Sequence, residues 1–344
     1  MKRFLLTSWV ALAGMLVAQD MPLSQVLIPG EDWQLTSFRH EFTDAPTADA
    51  TGNFYFSDLR SEQGLYQIIP QGKVVLYLKG MTGISGMKFG PDGKIYACRA
   101  RTRELVSIDP VANKLTVLAK DVRPNDLVVT HKGYLYFTET PKKQVTFYNT
   151  KTGKMKAADV GITAPNGICL SPDQGTLVVS DFRGKHCWAF RIEMDGTLAH
   201  KQPYMTMRRK PKPSQERTNL PEFQPSCRGD GMITDAYGRY YVATELGVQY
   251  FDPTGRISGV IPGPPGIKGI TSVAFGGFNM EYLYITCFDK IYRMKTRTRG
   301  IVYQTGPQAY PPKKKELEVL LQNWLERLFG FGGPTFSIGH NRIF

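Results

Sequence analysis

The chain repeats one pattern of polar and apolar positions six times. In the copy at residues 164–181, APNGICLSPDQGTLVVSD, a polar loop leads into a short apolar run, a Pro/Gly turn and a second apolar run that ends in Ser-Asp. The other copies lie at residues 44–58, 85–99, 125–139, 230–244 and 272–286. Two short apolar runs joined by a tight turn are typical of a β-hairpin, so the sequence predicts six related hairpins.

The spacing of the copies indicates how the hairpins are arranged. Their opening residues are Asp44, Ser85, Asn125, Asn166, Asp230 and Ser272. Successive opening residues are 41, 40, 41, 64 and 42 positions apart. A period of about 40 residues, with two clear strands and room for two more, is typical of four-stranded propeller blades. We therefore predict an all-β fold, a six-bladed β-propeller, in which residues 33–42 form a strand that completes the last blade.

The two ends of the chain differ from the repeats. Two basic residues precede a short apolar run, which predicts a signal peptide over residues 1–19 and an exported protein, periplasmic or extracellular. The propeller is expected over residues 20–303, followed by a C-terminal extension at 304–344. Within the extension, leucines recur every three or four positions over 316–329, which predicts an amphipathic helix. That helix either docks on the propeller or binds a partner or membrane surface.

Charge adds one further feature to this picture. The chain of 344 residues has a net charge of +13, and many basic residues fall in or near a Pro-rich insertion at about 204–226, between the fourth and fifth blades. No recognition helix or RNA-binding aromatic motif accompanies them, so we predict no nucleic-acid partner. The insertion is either a lid over the opening residues or a plain surface loop. Together with the C-terminal helix, it offers a contact to an anionic surface. We expect a monomer.

The cysteines give no sign of a metal or redox motif. There are five of them, and no two are spaced as CxxC. Because Cys98, Cys169 and Cys287 fall inside apolar strand patterns, we predict that they are small buried core residues.

The opening residues carry the candidate chemistry. The innermost strand of each propeller blade lines the central channel, so the six opening residues would form a ring of oxygen-bearing side chains without His or Cys. Hard oxygen ligands of low total charge suit Ca²⁺, or Mg²⁺ and Mn²⁺, better than zinc. The alternative is that Asn and Asp before Gly only cap turns.

Several motifs resemble one known family. They are Arg123-Pro124-Asn125-Asp126, Pro165-Asn166-Gly167, Asp230-Gly231-Met232, Ala274-Phe275-Gly276-Gly277 and Ile291-Tyr292-Arg293. Over nearly all of residues 40–300, the chain is similar to the senescence marker protein, gluconolactonase and luciferin-regenerating-enzyme-like family of six-bladed propellers. The resemblance implies one divalent metal, typically Ca²⁺, with Mg²⁺, Mn²⁺ and Zn²⁺ as alternatives. It implies Asp44, Asn166 and Asp230 as the metal ligands, with Arg123 and Asn125 facing the substrate.

This resemblance leads to a functional hypothesis. A sugar lactone or similar ester would be hydrolysed with its carbonyl polarised by the metal, and Asp230 would act as general base. Arg123 and Asn125 would hold sugar hydroxyls or the developing oxyanion. The alternative is a non-catalytic propeller that binds a sugar, peptide or cell-wall polymer at the same rim. Two features favour that alternative: the basic insertion, and Asp44-Ala45-Pro46 in place of the family's Glu-Gly-Pro.

Overall fold

The structure is a computed structural model, and it describes residues 21–209 and 227–308. Within these ranges the fold is built from β-strands, and the helical segments are four 3₁₀ turns, Leu23–Gln25, Thr140–Lys142, Phe278–Met280 and Tyr303–Thr305. The strands in chain order are β1 (Gln34–Ala48), β2 (Phe54–Asp58), β3 (Gly64–Ile68), β4 (Val74–Lys79), β5 (Ile84–Phe89), β6 (Ile95–Arg99), β7 (Glu104–Asp109), β8 (Lys114–Lys120), β9 (Leu127–Val129), β10 (Tyr134–Glu139), β11 (Gln144–Asn149), β12 (Met155–Val160), β13 (Pro165–Leu170), β14 (Thr176–Asp181), β15 (His186–Ile192), β16 (Leu198–Thr206), β17 (Met232–Thr234), β18 (Tyr240–Thr244), β19 (Gly247–Phe251), β20 (Ile257–Ile261), β21 (Ser272–Gly276) and β22 (Tyr282–Lys295). No helix in the described ranges is long and apolar enough to cross a membrane.

Hydrogen bonding groups these strands into five sheets of a β-propeller. Four sheets have four strands each, β5–β8, β9–β12, β13–β16 and β17–β20. The fifth has six strands in the order β21-β22-β1-β2-β3-β4. The predicted all-β propeller is therefore confirmed, but the prediction of six separate blades is wrong, because the first and sixth repeats share one continuous sheet.

Two long strands fuse these repeats. β1 pairs with β22 through residues such as Leu35, opposite Tyr292, and it pairs with β2 further along. Thr43 is paired on both sides, with Phe288 and with Asp58. The N-terminal strand thus closes the ring as predicted, and this closure leaves no free edge between the first and last repeats. Because neither long strand is interrupted, the hydrogen bonding runs through both repeats.

All six predicted hairpins form, and their first strands surround the propeller axis. These inner strands contact one another in the cyclic order β1, β5, β9, β13, β17, β21 and back to β1. Inner and second strands are largely buried and carry most of the largest core side chains, among them Tyr136, Tyr241, Tyr284, Phe54 and Phe56. Complete burial of one such ring contributes about 1.5–3 kcal/mol, so packing between neighbouring sheets fixes the ring of inner strands.

The outer strands are more exposed and include part of the predicted insertion. In the first two repeats, the sequence also predicts third and fourth strands at residues 64–70, 73–78, 105–109 and 114–119, and they form as β3, β4, β7 and β8. Residues 204–206, assigned to the insertion from the sequence, instead continue β16, where Thr206 pairs with His186. The rest of the insertion from residue 210 to 226, the signal peptide at 1–19 and the predicted helix at 316–329 lie outside the described residues.

The cysteine prediction is confirmed. Cys98, Cys169 and Cys287 are buried strand residues, and all five cysteines are buried free thiols. Desolvation raises the pKa of Cys169 and Cys287 to about 12, which keeps both thiols protonated and unreactive near neutral pH.

Candidate functional site

The predicted ring residues begin the inner strands, with one change. Asn125 and Asp230 donate their backbone N–H groups to the second strand of their own repeat, to Thr138 O at 2.8 Å and Ala243 O at 2.9 Å. In the sixth repeat, the residue that makes this bond is Thr271, which donates to Thr286 O at 2.9 Å. The sixth ring position is therefore Thr271 and not Ser272, because the sixth hairpin is longer than the sequence alignment assumed.

Hydroxyl groups tie the ring positions of neighbouring repeats together. The bonds are Ser85 Oγ to Asn125 O (2.7 Å), Thr138 Oγ1 to Asn166 O (2.6 Å), Ser180 Oγ to Asp230 O (2.9 Å) and Thr271 Oγ1 to Thr43 O (3.0 Å). The hydroxyls of Ser85 and Thr271 are thus used in packing between repeats. The side chains left to face a ligand are Asp44, Asn125, Asn166 and Asp230, which are all half-buried.

Close packing explains the glycines that follow two of these residues. Gly167 lies inside β13, and a Cβ atom there would approach Asp230 O to 2.2 Å. A Cβ atom at Gly231 would approach Ser272 Oγ to 1.9 Å. Neither glycine has a positive φ. Each Gly therefore allows adjacent inner strands to approach, and Asn166 lies inside β13 and not in a turn.

Burial and like charges raise the proton affinity of the ring carboxylates. Burial is the main cause that raises the pKa of Asp44 to about 7; the charge of Asp126 adds to it, while the Ala45 N–H and Lys88 oppose it. The pKa of Asp230 is raised well above its usual range, mainly by burial and to a smaller extent by the charges of Asp44 and Asp126. The polar side chain of Asn166 opposes this rise in the pKa of Asp230, so the two side chains interact. Asp44, Asn166 and Asp230 therefore belong to one interacting group.

Two members of this group were missed in the sequence. Asp126 is 8% exposed, and its Oδ1 accepts a hydrogen bond from its own neighbour, Leu127 N, at 2.8 Å. Lys88 on β5 places Nζ 3.2 Å from Pro46 O and acts on Asp44 and Asp126 as a positive charge. Three carboxylates thus act on one another electrostatically, and the positive charge of Lys88 opposes the effect at two of them, Asp44 and Asp126.

The donor set fits a hard divalent cation. Asp44, Asn166 and Asp230 offer two carboxylates and one amide oxygen, which is the ligand chemistry of Ca²⁺ or Mg²⁺. The mutual repulsion among the buried carboxylates is what a divalent positive charge would relieve. In the described ranges, no three His, Cys, Asp or Glu side chains are arranged as a metal cluster, so any cation here depends on the Asn166 amide.

A cleft of about 510 Å³ brings the predicted substrate residues together with one predicted ligand. Its lining residues are Ala100, Arg101, Arg103, Arg123, Pro124, Asn125, Thr140, Pro141, Asn166 and Phe182. Asp44 and Asp230 do not line this cleft, and Asn166 is the member of their electrostatic group that does. Arg101 and Arg103 lie in the loop between β6 and β7, outside the repeated motif, so the repeat gives no signal for them.

Carboxylates at the ends of second strands hold the loops that lead to the ring. Asp58 accepts from Phe42 N at 2.9 Å, and Glu139 accepts from Arg123 N at 2.8 Å. Asp181 accepts from Ala164 N at 2.9 Å, just before Asn166. Each carboxylate satisfies backbone N–H groups that no strand pairs, so it fixes the approach to a ring residue. In the sequence, each of these carboxylates is the last residue of its repeat, in the dipeptides Ser-Asp and Thr-Glu.

One of these carboxylates is part of a Ser-His-Asp chain. Ser37 Oγ lies 2.7 Å from His40 Nε2, and His40 Nδ1 lies 3.4 Å from Asp58 Oδ2. The geometry is similar to that of a serine hydrolase, but Ser37 is only 7% exposed, and none of the three residues lines the cleft. Asp58 also accepts from two backbone N–H groups. The chain therefore stabilises the loop before Asp44.

The opposite end of the channel is closed. Tyr303 Oη donates to Leu170 O at 2.7 Å, and Gln304 Nε2 donates to Ala48 O at 3.3 Å. Leu170 and Ala48 end their inner strands, at the far side from Asn166 and Asp44. The space left there is about 30 Å³, room for about one water. Among the described residues, a substrate therefore reaches the ring from the side of the cleft.

Comparison with known proteins identifies the family. Residues 42–289 match the family described as "SMP-30/Gluconolactonase/LRE-like region". The chain belongs to this family.

Individual members of the family align over most of the propeller. The gluconolactonase of Zymomonas mobilis subsp. mobilis is 29% identical over 240 residues, which cover 63% of this chain and 64% of that protein. The match thus spans less than two thirds of that relative. A solved gluconolactonase from Xanthomonas campestris has a TM-score of 0.66 at 20% identity, covering 80% of this chain and 92% of the other. The calcium-binding protein regucalcin of Agrobacterium tumefaciens has a TM-score of 0.60 at 18% identity, covering 79% and 97%. At these identities the superpositions establish a shared fold.

In this member of the SMP-30/gluconolactonase/LRE-like family, the first-repeat motif is strained. Ala45 stands at the position of the family's Gly and has φ of 54°, a left-handed conformation that Gly adopts freely. Its N–H donates to Asp44 Oδ1 at 2.9 Å. One oxygen of the shorter acidic side chain is therefore turned toward its own backbone.

Proposed function

We propose that the protein hydrolyses a sugar lactone or similar ester, using a divalent cation held by Asp44, Asn166 and Asp230. The carrying observation is the cleft, which brings Arg123 and Asn125 together with Asn166, one of the proposed cation ligands. A substrate in this cleft would meet hydrogen-bond donors beside that ligand.

The roles follow from the chemistry of each side chain. When bound, the cation would act as a Lewis acid on the ester carbonyl. The Asp230 carboxylate would accept the proton of the attacking water, because a bound cation would keep this carboxylate ionised. Arg123 and Asn125 would donate hydrogen bonds to sugar hydroxyls or to the developing oxyanion. The hydrogen bond from Arg123 N to the Glu139 carboxylate would keep the loop that carries Arg123 in place.

Family membership supports both halves of the proposal. The Zymomonas relative is named a gluconolactonase, which supports a lactone substrate. The Agrobacterium structure is described as a calcium-binding protein, which supports calcium ahead of Mg²⁺, Mn²⁺ and Zn²⁺. Export to the periplasm or the exterior, predicted from residues 1–19, remains part of the proposal; comparing the N-terminus of the secreted and the cell-associated protein would test it.

The experiment is a lactone panel assayed by proton release with wild type and Asp230→Ala. Calcium-dependent thermal stabilisation is recorded on the same samples. We expect turnover of at least one aldonolactone by wild type and a loss of at least about 100-fold in Asp230→Ala, the size typical for removal of a general base. Tight cation binding without turnover of any lactone would reject the enzyme and favour the non-catalytic propeller.

A further inference from the structure

The cleft that faces the ring carries an excess of positive charge. Three of its ten lining residues are arginines, Arg101, Arg103 and Arg123, and none is acidic. A neutral sugar lactone needs hydrogen-bond donors and acceptors, but it does not need three guanidinium groups. The three arginines that line the cleft therefore indicate a substrate with more than neutral polar groups.

The three arginines differ in how far their charge is already compensated. Arg101 donates to both oxygens of Glu62, with Nη2 3.1 Å from Oε2, and it also contacts Thr82 at 3.0 Å. The guanidinium of Arg101 is therefore already paired. Within the part of the chain that the structure describes, the guanidinium of Arg103 has one loose contact, to Asp121 at 3.7 Å, between side chains that are 49% and 88% exposed.

Arg123 is the least compensated of the three. Its guanidinium has no hydrogen-bond or ion-pair partner within residues 21–209 and 227–308, although its backbone N–H is fixed by Glu139. A solvent-exposed contact such as Arg103–Asp121 contributes little and is easily exchanged. Two guanidinium groups, on Arg103 and Arg123, are thus available to a ligand, and guanidinium pairs well with planar or tetrahedral oxyanions.

We propose that the natural substrate carries an anionic group, a carboxylate or a phosphate, remote from its ester, and that Arg103 and Arg123 bind it. This inference rests on the proposed lactone hydrolysis and specifies its substrate class. The ester would lie toward Asn166 and Asp230, and the remote anionic group would lie toward Arg103 and Arg123. In this arrangement Asn125 donates to the developing oxyanion of the ester, and Arg123 pairs with the remote anionic group. Because the arginines are exposed to solvent, their attraction is screened by salt over about 10 Å at about 0.1 M ionic strength.

The test compares matched lactones at low and high salt. The substrates are neutral D-glucono-1,5-lactone, its 6-phosphate and a glucarolactone that carries a free carboxylate; the last two distinguish phosphate from carboxylate. We expect kcat/KM for one anionic lactone to exceed that for the neutral lactone at least tenfold, with the preference shrinking as salt is raised. Arg103→Gln should remove most of the preference through KM and leave turnover of the neutral lactone within about twofold.

Arg191→Gln is the matched control. Arg191 is exposed on β15, where it pairs with Glu193 away from the cleft. Its substitution therefore changes the net charge by the same amount without altering the lining of the cleft. Binding of the ring-opened acids, measured by calorimetry on wild type and Arg103→Gln, provides a readout independent of turnover. Equal kcat/KM for neutral and anionic lactones, unchanged in Arg103→Gln, would overturn the inference while the proposed function stands. No turnover of any lactone would instead reject the proposed function. The calorimetry would still decide whether Arg103 and Arg123 bind an anionic group.

Discussion

Glu139 offers a sharp test of how the cleft is held in shape. Its side chain is 1% exposed, and four donors converge on its two oxygens. They are Arg123 N at 2.8 Å and Lys142 Nζ at 2.8 Å on Oε1, and Thr146 Oγ1 at 2.6 Å and Gln144 Nε2 at 3.2 Å on Oε2. In Glu139→Gln one end of the side chain becomes an NH₂ donor, so at least one pair of donors loses its acceptor.

The magnitude follows from the bonds that are lost. A hydrogen bond to a charged group is worth about 1.5–3 kcal/mol, and the half-exposed Lys142 contributes less than that. We therefore expect Glu139→Gln to lower the free energy of unfolding by about 2 kcal/mol at pH 7. Because the variant loosens the hold on Arg123 N, KM for a lactone should rise about three- to tenfold while kcat changes little.

The pH dependence gives an independent check. Burial tends to raise the pKa of Glu139, but hydrogen bonds from Lys142, Thr146 and Arg123 N outweigh it and hold the pKa below its usual range. A carboxylate with a lowered folded-state pKa contributes stability above the unfolded value of about 4.3 and loses it as the pH falls through the folded value. The difference between wild type and variant should therefore shrink below about pH 4.5.

The assay is urea unfolding of wild type, Glu139→Gln and the control Glu41→Gln across that pH range. Glu41 is exposed, and its side chain makes no hydrogen bond within the described residues. Identical stability and KM of wild type and Glu139→Gln at pH 7 would refute the idea that this carboxylate fixes the cleft.

Three further predictions follow from the ring. Ser180→Ala removes the hydrogen bond from the Ser180 hydroxyl to Asp230 O and should lower the free energy of unfolding in urea by about 1–2 kcal/mol. The control is Ser57→Ala at the matching position, where the buried hydroxyl has no partner among the described residues. It should change the free energy of unfolding by less than about 0.5 kcal/mol. Ala45→Gly should stay within about 1 kcal/mol of the parent in thermal melts, and Ala45→Val should lose at least about 2 kcal/mol, because a β-branched residue resists φ of 54°. Burial and the charge of Asp126 raise the pKa of Asp44 to about 7, so the metal-free fold takes up a proton there and loses stability as the pH rises from about 4 toward 7. Chelator-treated protein should therefore melt at a lower temperature at about pH 7.5 than at about pH 5.5. Asp44→Asn should reduce that difference.

Much of the fold could be predicted from one repeated pattern. The period of the hairpins gives the number of inner strands, and strand propensity gives the second strands of all repeats and the third and fourth strands of the first two. The fused sheet could not be predicted, because it depends on pairing between chain ends such as Thr43 and Phe288. The ring position in the sixth repeat was shifted by one residue, since its longer hairpin moves the pairing from Ser272 to Thr271.

The candidate site could be predicted in part, for a physical reason. Asp44, Asn125, Asn166 and Asp230 repeat at equivalent positions, so the alignment of copies finds them without knowledge of contacts. Lys88 does not repeat, and only the packing of β5 shows which carboxylates it acts on. Asp126 had a readable signal, because the position after the opening residue is Ala or Gly in four other copies and Asp only in this one.

The central claim is that Asp44, Asn166 and Asp230 hold one divalent cation that lactone turnover requires. The most direct measurement is calorimetric titration of chelator-treated protein with Ca²⁺, for wild type and Asn166→Leu, with turnover of glucono-1,5-lactone followed in the same samples. Asn166→Leu keeps the side-chain size and both carboxylates but removes the amide oxygen. We predict one site in wild type, with turnover rising in proportion to its occupancy, and at least tenfold weaker binding with matching loss of turnover in the variant. Equal cation binding by both proteins, or full turnover by wild type without any divalent cation, would contradict the account.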